Sequence, residues 1–598
     1  MLRVSVNLRA RLNDCAAPRL VTGLMMAALA TSASAITLPD TAILPPQPVL
    51  AQQMSSYLAE RPKNIIELQP FRETETAQLP DGQTVTLISL NPNVNSWFVL
   101  QVGPWNLSKI YHIQNPIPAV QTIALSKGPD PQLVIRSGGE VTNCTPWANQ
   151  DQALAAAQAT RMPFAPLCAG HLFLRNPVQG HSTQLEWTAN FIRNNFIGGE
   201  LIVGLVKNVF FKDAFRIVAS PGAANAGISG NGMAPSGPPP AQSKHFEVTA
   251  RIGLHLITHT PGRMALGRWY PVADVPGVFA SAMQPAEVDA SILNGPGKTN
   301  PLDSIEAHSM DYFTAFDLSQ FELGYAMGTS HPSLGWSPRP PAGVRVPGLP
   351  GPDGVGNPAP VVLLGMLNPV LDSQVVATFA AGFKRRHGAF QTGPLSEVNH
   401  GSHYGFIEQG VIMSKLQPGL ATIFVLNDGS IHMRTWTLAD NALLPEIRFA
   451  RQNGVPLLER NPAGGAGIPG SLVANGDAGN WSGSVDNRLR TLRAGACMID
   501  QGAKRFFVYA FFSTATPSAM ARTFEGYGCS YAMLLDMNAL EHTYFALYDR
   551  SGGKRAVEHL LPGMAVVDKK DGSGHPMARF VDYPDNRDFF YMLRRANG

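Results

Sequence analysis

From about residue 84 the chain alternates short apolar runs with Asn, Pro and Gly. "TVTLISL", "SWFVLQVG", "QTIALS" and "QLVIRSGG" each read as a β-strand closed by a turn. Between Gln150 and Phe215 the spacing becomes helical: "DQALAAAQATR" is built of helix formers, and Thr183-Gln184-Leu185-Glu186 is a capping box leading into Trp187, Phe191 and Ile192. The run "ELIVGLVKNVFFKDAF" is interrupted by Lys207, Lys212 and Asp213, so it reads as an amphipathic or core helix rather than a membrane span. Strands resume at "FEVTARIGLHLITHT".

Two stretches break the pattern. Residues 220–243 lack apolar periodicity and read as a mobile surface loop of the first domain. Residues 338–360, "PRPPAGVRVPGLPGPDGVGNPAP", exclude helix and internal strand and read as a semi-rigid interdomain linker. This gives a first domain over 36–337, beginning in the proline-broken arm 36–52, and a second over 361–598. "VVLLGMLN" and "VVATFAAGFKRR" open the second domain. "LATIFVLNDGSIHMRTWT" is a hairpin turning at Asn427-Asp428-Gly429, and a second glycine-rich loop follows from Asn461.

The most informative pattern lies near the end. "RFFVYAFFS" is a strand, Thr516 caps a helix whose first residue is Pro517, and Met520, Phe524 and Tyr527 recur on one face before Gly528 stops it. The strand "YAMLLDM" follows. Strand, helix and strand in this order predict a parallel crossover, which delivers Asp536 to the carboxyl end of a buried strand, where ligands bind in open α/β sheets. The whole pattern predicts an α/β (α+β) chain: a mixed-sheet second domain behind a β-rich first domain with several helices.

Composition narrows the classes. With 598 residues, 44% hydrophobic and 15% charged, the chain buries a large interior, and 57 Gly with 49 Pro favour loops and strands over a helical bundle. The net charge of +3 comes without a Lys/Arg tract or aromatic-basic stripe, which argues against a nucleic-acid partner. Arg3, Arg9, Arg11 and Arg19 precede the apolar run Leu20 to Ala30, and Ala33-Ser34-Ala35 follows, so residues 1–35 read as a signal peptide cleaved after Ala35. The expected location is secreted or periplasmic, with no stable membrane span once the signal is gone. Cleavage removes Cys15 and leaves Cys144, Cys168, Cys497 and Cys529. Proximity pairs Cys144 with Cys168 and Cys497 with Cys529, although four cysteines allow three connectivities. No CxxC or HExxH occurs, and no metal or cofactor is expected. G-x-S-x-G and P-loop motifs are also missing, which leaves serine-hydrolase and P-loop nucleotide chemistry without a foothold.

The stretches "NHGSHYG" at Asn399, "RAGAC" at Arg493, and "TPSAMARTFEGYGCSYAMLLD" from Thr516 to Asp536 occur in an order and spacing that resembles the phosphodiester glycosidase family over about the last 230 residues. The chain departs from that pattern at His400 in place of glycine, at Arg493-Ala494-Gly495 without the usual spacer, and at Met537-Asn538 in place of a double glycine. The resemblance implies a hydrolase acting on sugar phosphodiester linkages of envelope or extracellular glycans. It places Arg493 on the phosphate, Asp536 facing the anomeric carbon, and Asn399, Gly401 and Asn538 on the sugar. Glu397, His400, His403, Glu541 and His542 are the candidate proton carriers, and His542 is preferred because it lies just beyond the strand end that carries Asp536. Trp481, in the second glycine-rich loop, is a candidate for stacking on a sugar ring. The expected partner is a glycan or sugar phosphate. The competing expectation is a non-catalytic glycan-binding or exopolysaccharide-assembly protein that keeps the fold, and Met537-Asn538 favours it.

Overall fold

The computed structural model describes Ser55, Tyr57 and residues 62–595, apart from 105–106, 196–214, 219, 222–236, 331, 337–339, 349, 352–353, 385–387, 391–392 and 477–486. The signal peptide, Trp481, most of the apolar run 200–215 and the centre of the 220–243 loop lie outside the described residues. Among the described residues no helix is long and apolar enough to cross a membrane.

The architecture is mostly β, which corrects the expected α/β class. A six-stranded antiparallel sheet over residues 73–175 contains the predicted runs Thr84–Ser89 and Trp97–Gly103, while Gln121–Leu125 and Leu133–Ser137 belong to a three-stranded sheet beside it. The helix read from "DQALAAAQATR" is α1 (Ala148–Ala159), and Thr183 opens α2 (Gln184–Asn195) by accepting the Glu186 N–H.

The central feature is an eight-stranded sheet. It contains β1 (Val278–Met283) and β2 (Asp311–Asp317) from before residues 338–360, and β3 (Thr491–Gln501) and β4 (Lys504–Ala515) from after them. β2 pairs antiparallel with β4 along its whole length, from Asp311 opposite Phe512 to Asp317 opposite Phe506. Residues 338–360 therefore do not separate independent sheets, and Ile43–Gly598 forms one compact unit. Their prolines and glycines report a chain that cannot pair locally. They say nothing about whether the strands on either side pair with each other.

β4 runs into α3 (Pro517–Gly526), and α3 into β5 (Tyr531–Met537). The local signals act as read: Thr516 Oγ1 accepts the Ala519 N–H at 3.2 Å, Pro517 opens the helix, and Gly528 closes it at φ +74°. Phe524 packs its ring on Phe512 at 5.4 Å and on Phe313 at 6.2 Å, so the predicted apolar face seats α3 on β2 and β4. Emptying such a site by Phe→Ala costs about 3–5 kcal/mol. β4 and β5 are both antiparallel to β3, which lies between them. The crossover thus joins two strands of like direction, as expected, but across an intervening antiparallel neighbour.

The final strand, β6 (Phe589–Arg594), inserts between strands Phe321–Ala326 and Val375–Ala380 of a five-stranded sheet. Both expected disulfides are present, Cys144–Cys168 and Cys497–Cys529, with Cα separations of 5.6 and 5.8 Å.

Candidate functional site

β5 carries Asp536 to its carboxyl end, where the side chain is 5% exposed. One carboxylate oxygen accepts the Met537 N–H at 2.8 Å. The other accepts from Arg587 Nη1 at 2.6 Å. Burial pushes the Asp536 carboxyl up to about 6, against the pull of the Arg587 guanidinium.

Arg587 stands just ahead of β6, in the run Asp585-Asn586-Arg587-Asp588, and each charged side chain of that run is buried and paired. Asp585 takes Arg579 bidentately at 2.8 and 3.0 Å, and its Oδ1 also accepts the Arg587 N–H, which fixes the turn. Asp588 accepts from Arg451 at 2.8 Å and from the Tyr325 hydroxyl at 3.0 Å. The neighbouring backbone comes so close that a Cβ on Gly328 would lie 2.3 Å from the Asn586 oxygen, and one on Gly365 1.9 Å from the Asp585 oxygen.

Four of the five N–H groups of Arg587 are engaged: Nη1 with Asp536, Nη2 with Glu186 Oε1 at 2.8 Å and with His542 Nε2, and Nε with Glu186 Oε2 at 3.3 Å. Burial pulls the guanidinium down, but Glu186 and Asp536 outweigh it and the net direction is upward. Lys384, 6% exposed, adds its ammonium to Glu186 Oε1 at 3.0 Å. His542 Nδ1 lies 2.6 Å from the Met537 carbonyl oxygen. That oxygen only accepts and Arg587 only donates, so Nδ1 is placed to donate and Nε2 to accept.

The structure thus joins Asp536 and His542 through Arg587 and adds Glu186 and Lys384. Arg493 stands apart from them. It is fully buried, but it sits opposite Met537 rather than Asp536, and successive residues of a strand face opposite ways. Its Nε donates to the Ala515 oxygen and its Nη2 to the Leu489 oxygen, both at 2.8 Å, while Nη1 meets Met537 Sδ at 3.5 Å. Asn538 is half-buried at φ +80°, a conformation that Asn tolerates, and its Oδ1 accepts from Thr491 Oγ1 at 3.0 Å. Met537-Asn538 therefore keeps the backbone shape that glycines would allow and commits both side chains to the sheet.

Asn399 caps the short helix Pro394–Val398 and is 4% exposed; its Oδ1 accepts the Ser402 N–H at 3.2 Å, and its Nδ2 has no partner among the described residues. Gly401, at φ +66°, lies where a Cβ would come 2.6 Å from Pro340 Cβ. Tyr404, three residues on, stacks near Phe383 at 6.4 Å, so this turn adjoins the segment that presents Lys384.

Sequence reasoning took Glu186 for the reciprocal half of a capping box. Thr183 Oγ1 does accept the Glu186 N–H at 3.1 Å, but the glutamate side chain goes to Arg587 and Lys384 instead of back to its own helix. Arg587 carried one legible signal, a run of charges placed directly before the apolar strand "FFYML". Lys384 carried none.

No protein-family model matches the chain, and no curated protein matches it. Among solved structures, the catalytic domain of zebrafish N-acetylglucosamine-1-phosphodiester α-N-acetylglucosaminidase, auto-inhibited by its pro-peptide, is similar at 11% identity and a TM-score of 0.28, over 54% of this chain and 85% of that one. A hypothetical protein from Synechocystis is similar at 10% identity and a TM-score of 0.25, over 87% and 98% of the two chains. A Burkholderia pseudomallei protein described as exported is similar at 10% identity and a TM-score of 0.20, over 48% and 74%. Likenesses this weak fix neither fold nor activity.

Proposed function

We propose that the chain is an exported, glycosidase-like hydrolase of sugar phosphodiester linkages in envelope or extracellular glycans, with its reacting groups around Asp536. The observation that carries this reading is the contact of Asp536 with Arg587 beside His542, at the end of a buried strand. Cleaving such a linkage needs a carboxylate at the oxocarbenium-like centre, a cation on the phosphate and a proton carrier. Asp536 supplies the first. Arg587 and Lys384 take the place expected of Arg493, whose Nε and Nη2 serve backbone carbonyls, and His542 supplies the third. A carboxyl near 6 exchanges protons at neutral pH, which suits acid and base work. Two disulfides fit an oxidising, extracytoplasmic setting.

A second reading, a glycan-binding protein without turnover, draws support from the satisfied state of the cluster: Glu186 already fills the Arg587 edge that a phosphate needs. The test is release of free sugar from a sugar-1-phosphodiester by the mature chain, beside Asp536→Asn and Arg587→Lys. Loss of about 10²-fold or more in both variants supports the hydrolase. Undiminished turnover in both overturns the site, and binding without turnover in the parent selects the second reading.

A further inference from the structure

Among its described side chains, helix α2 exposes an aromatic pair and buries a charge. Trp187 and Phe191 stack on each other with centroids 5.4 Å apart and rings 13° from parallel, yet they stand 61% and 46% exposed. Among the described residues of α2 the buried side chain is a charged one, Glu186. A surface helix ordinarily buries its apolar stripe and exposes its charges. This one is moored by a carboxylate.

The chain just before α2 is held differently. His181 N–H donates to the Pro584 oxygen and Asn586 N–H to the His181 oxygen, both at 2.9 Å, and Gly180 N–H donates to Thr329 Oγ1 at 3.1 Å. These backbone contacts do not involve Glu186, so residues 180–181 stay held when its side chain changes partner.

Glu186 receives the Nε and Nη2 edge of Arg587 on two oxygens and the Lys384 ammonium on one of them. A guanidinium edge with an ammonium grips any paired oxyanion, and the two non-bridging oxygens of a phosphodiester offer the same fork as a carboxylate. Asp536 stays on Nη1, the other side of the guanidinium. A phosphodiester carries one negative charge, as Glu186 does, so exchanging one for the other leaves neither buried cation unpaired.

We propose that Glu186 occupies the anion position of the site as a built-in stand-in, that the Arg587–Lys384 cradle takes the phosphate oxygens of the substrate, and that this exchange frees α2 from the body. The inference rests on the phosphodiester reading and names the place and the gate of its anion.

The experiment is hydrogen exchange on the full mature chain with increasing inorganic phosphate, matched in ionic strength with chloride. Phosphate is expected to accelerate exchange over residues 184–192 by about tenfold while chloride does not. Glu186→Gln is expected to exchange fast there without phosphate and to bind phosphate about tenfold tighter. Unchanged or slower exchange over 184–192 in the parent chain overturns the inference, and that measurement needs no variant to fold. Acceleration without turnover of a sugar-1-phosphodiester keeps the inference and overturns the hydrolase reading; turnover without acceleration does the reverse.

Discussion

Asp536 is where the balance between burial and pairing can be measured. Its carboxyl titrates at 3.8 when free and at about 6 in the fold, because desolvation outweighs the attraction of Arg587. Each pH unit between the two is worth about 1.4 kcal/mol, so the interval from 3.8 to about 6 amounts to about 3 kcal/mol. The folded chain holds this proton more tightly than the unfolded chain does. The resulting stability is fully present below 3.8, falls as pH rises, and is gone above about 6. Asp536→Asn keeps the shape and cannot ionise, so its unfolding free energy should gain about 3 kcal/mol relative to the parent between about pH 3.5 and about pH 7.5. Urea denaturation at a series of pH values, with m-values checked for equality, reads this directly. A potentiometric difference titration should show one proton leaving near 6. Parallel stability profiles refute the reasoning. A variant that loses ground as pH rises would show that the Arg587 pair outweighs the cost of burial.

Arg493→Ala leaves the buried Ala515 carbonyl and the half-buried Leu489 carbonyl without their donor, so stability should drop by about 3 kcal/mol while phosphate affinity of the folded chain is unchanged, as measured by urea midpoint and phosphate titration. Replacing Cys497 and Cys529 together by Ala opens a bridge spanning 32 residues and should cost about 2–4 kcal/mol, read from thermal unfolding under non-reducing conditions. Asn538→Ala and Asn538→Gly both lose the bond to Thr491, so their difference isolates the backbone at φ +80°, with Ala less stable by about 1 kcal/mol in urea.

What the sequence shows well is whatever neighbouring residues decide. Thr516, Pro517 and Gly528 bound α3 where the structure has it, and Asp428-Gly429 turns the hairpin between Ala421–Leu426 and Ile431–Thr435. What it hides is decided by distant partners. Arg493 and Asp536 both lie near strand ends, and only the register of β3 against β5 reveals that Arg493 faces Met537. Glu186 had a satisfactory local use as a cap residue, and nothing nearby betrays that a guanidinium 401 positions later claims its side chain. The proline-rich segment carries no local sign that β2 and β4, on either side of it, pair with each other.

The place of β6 in its sheet has a consequence for how the molecule is made. Strand Phe321–Ala326 lacks a neighbour in its sheet until Phe589–Arg594 arrives, and one edge of β2 waits for β4, across 202 residues between Asp311 and Ser513. Loop closures of this length slow folding and leave sticky strand edges open meanwhile. The same late segment brings Arg587. A chain truncated before Arg587 has neither the strand that closes the sheet nor the guanidinium that binds Glu186, Asp536 and His542 together. Residues 587–594 complete the sheet and the charged cluster together.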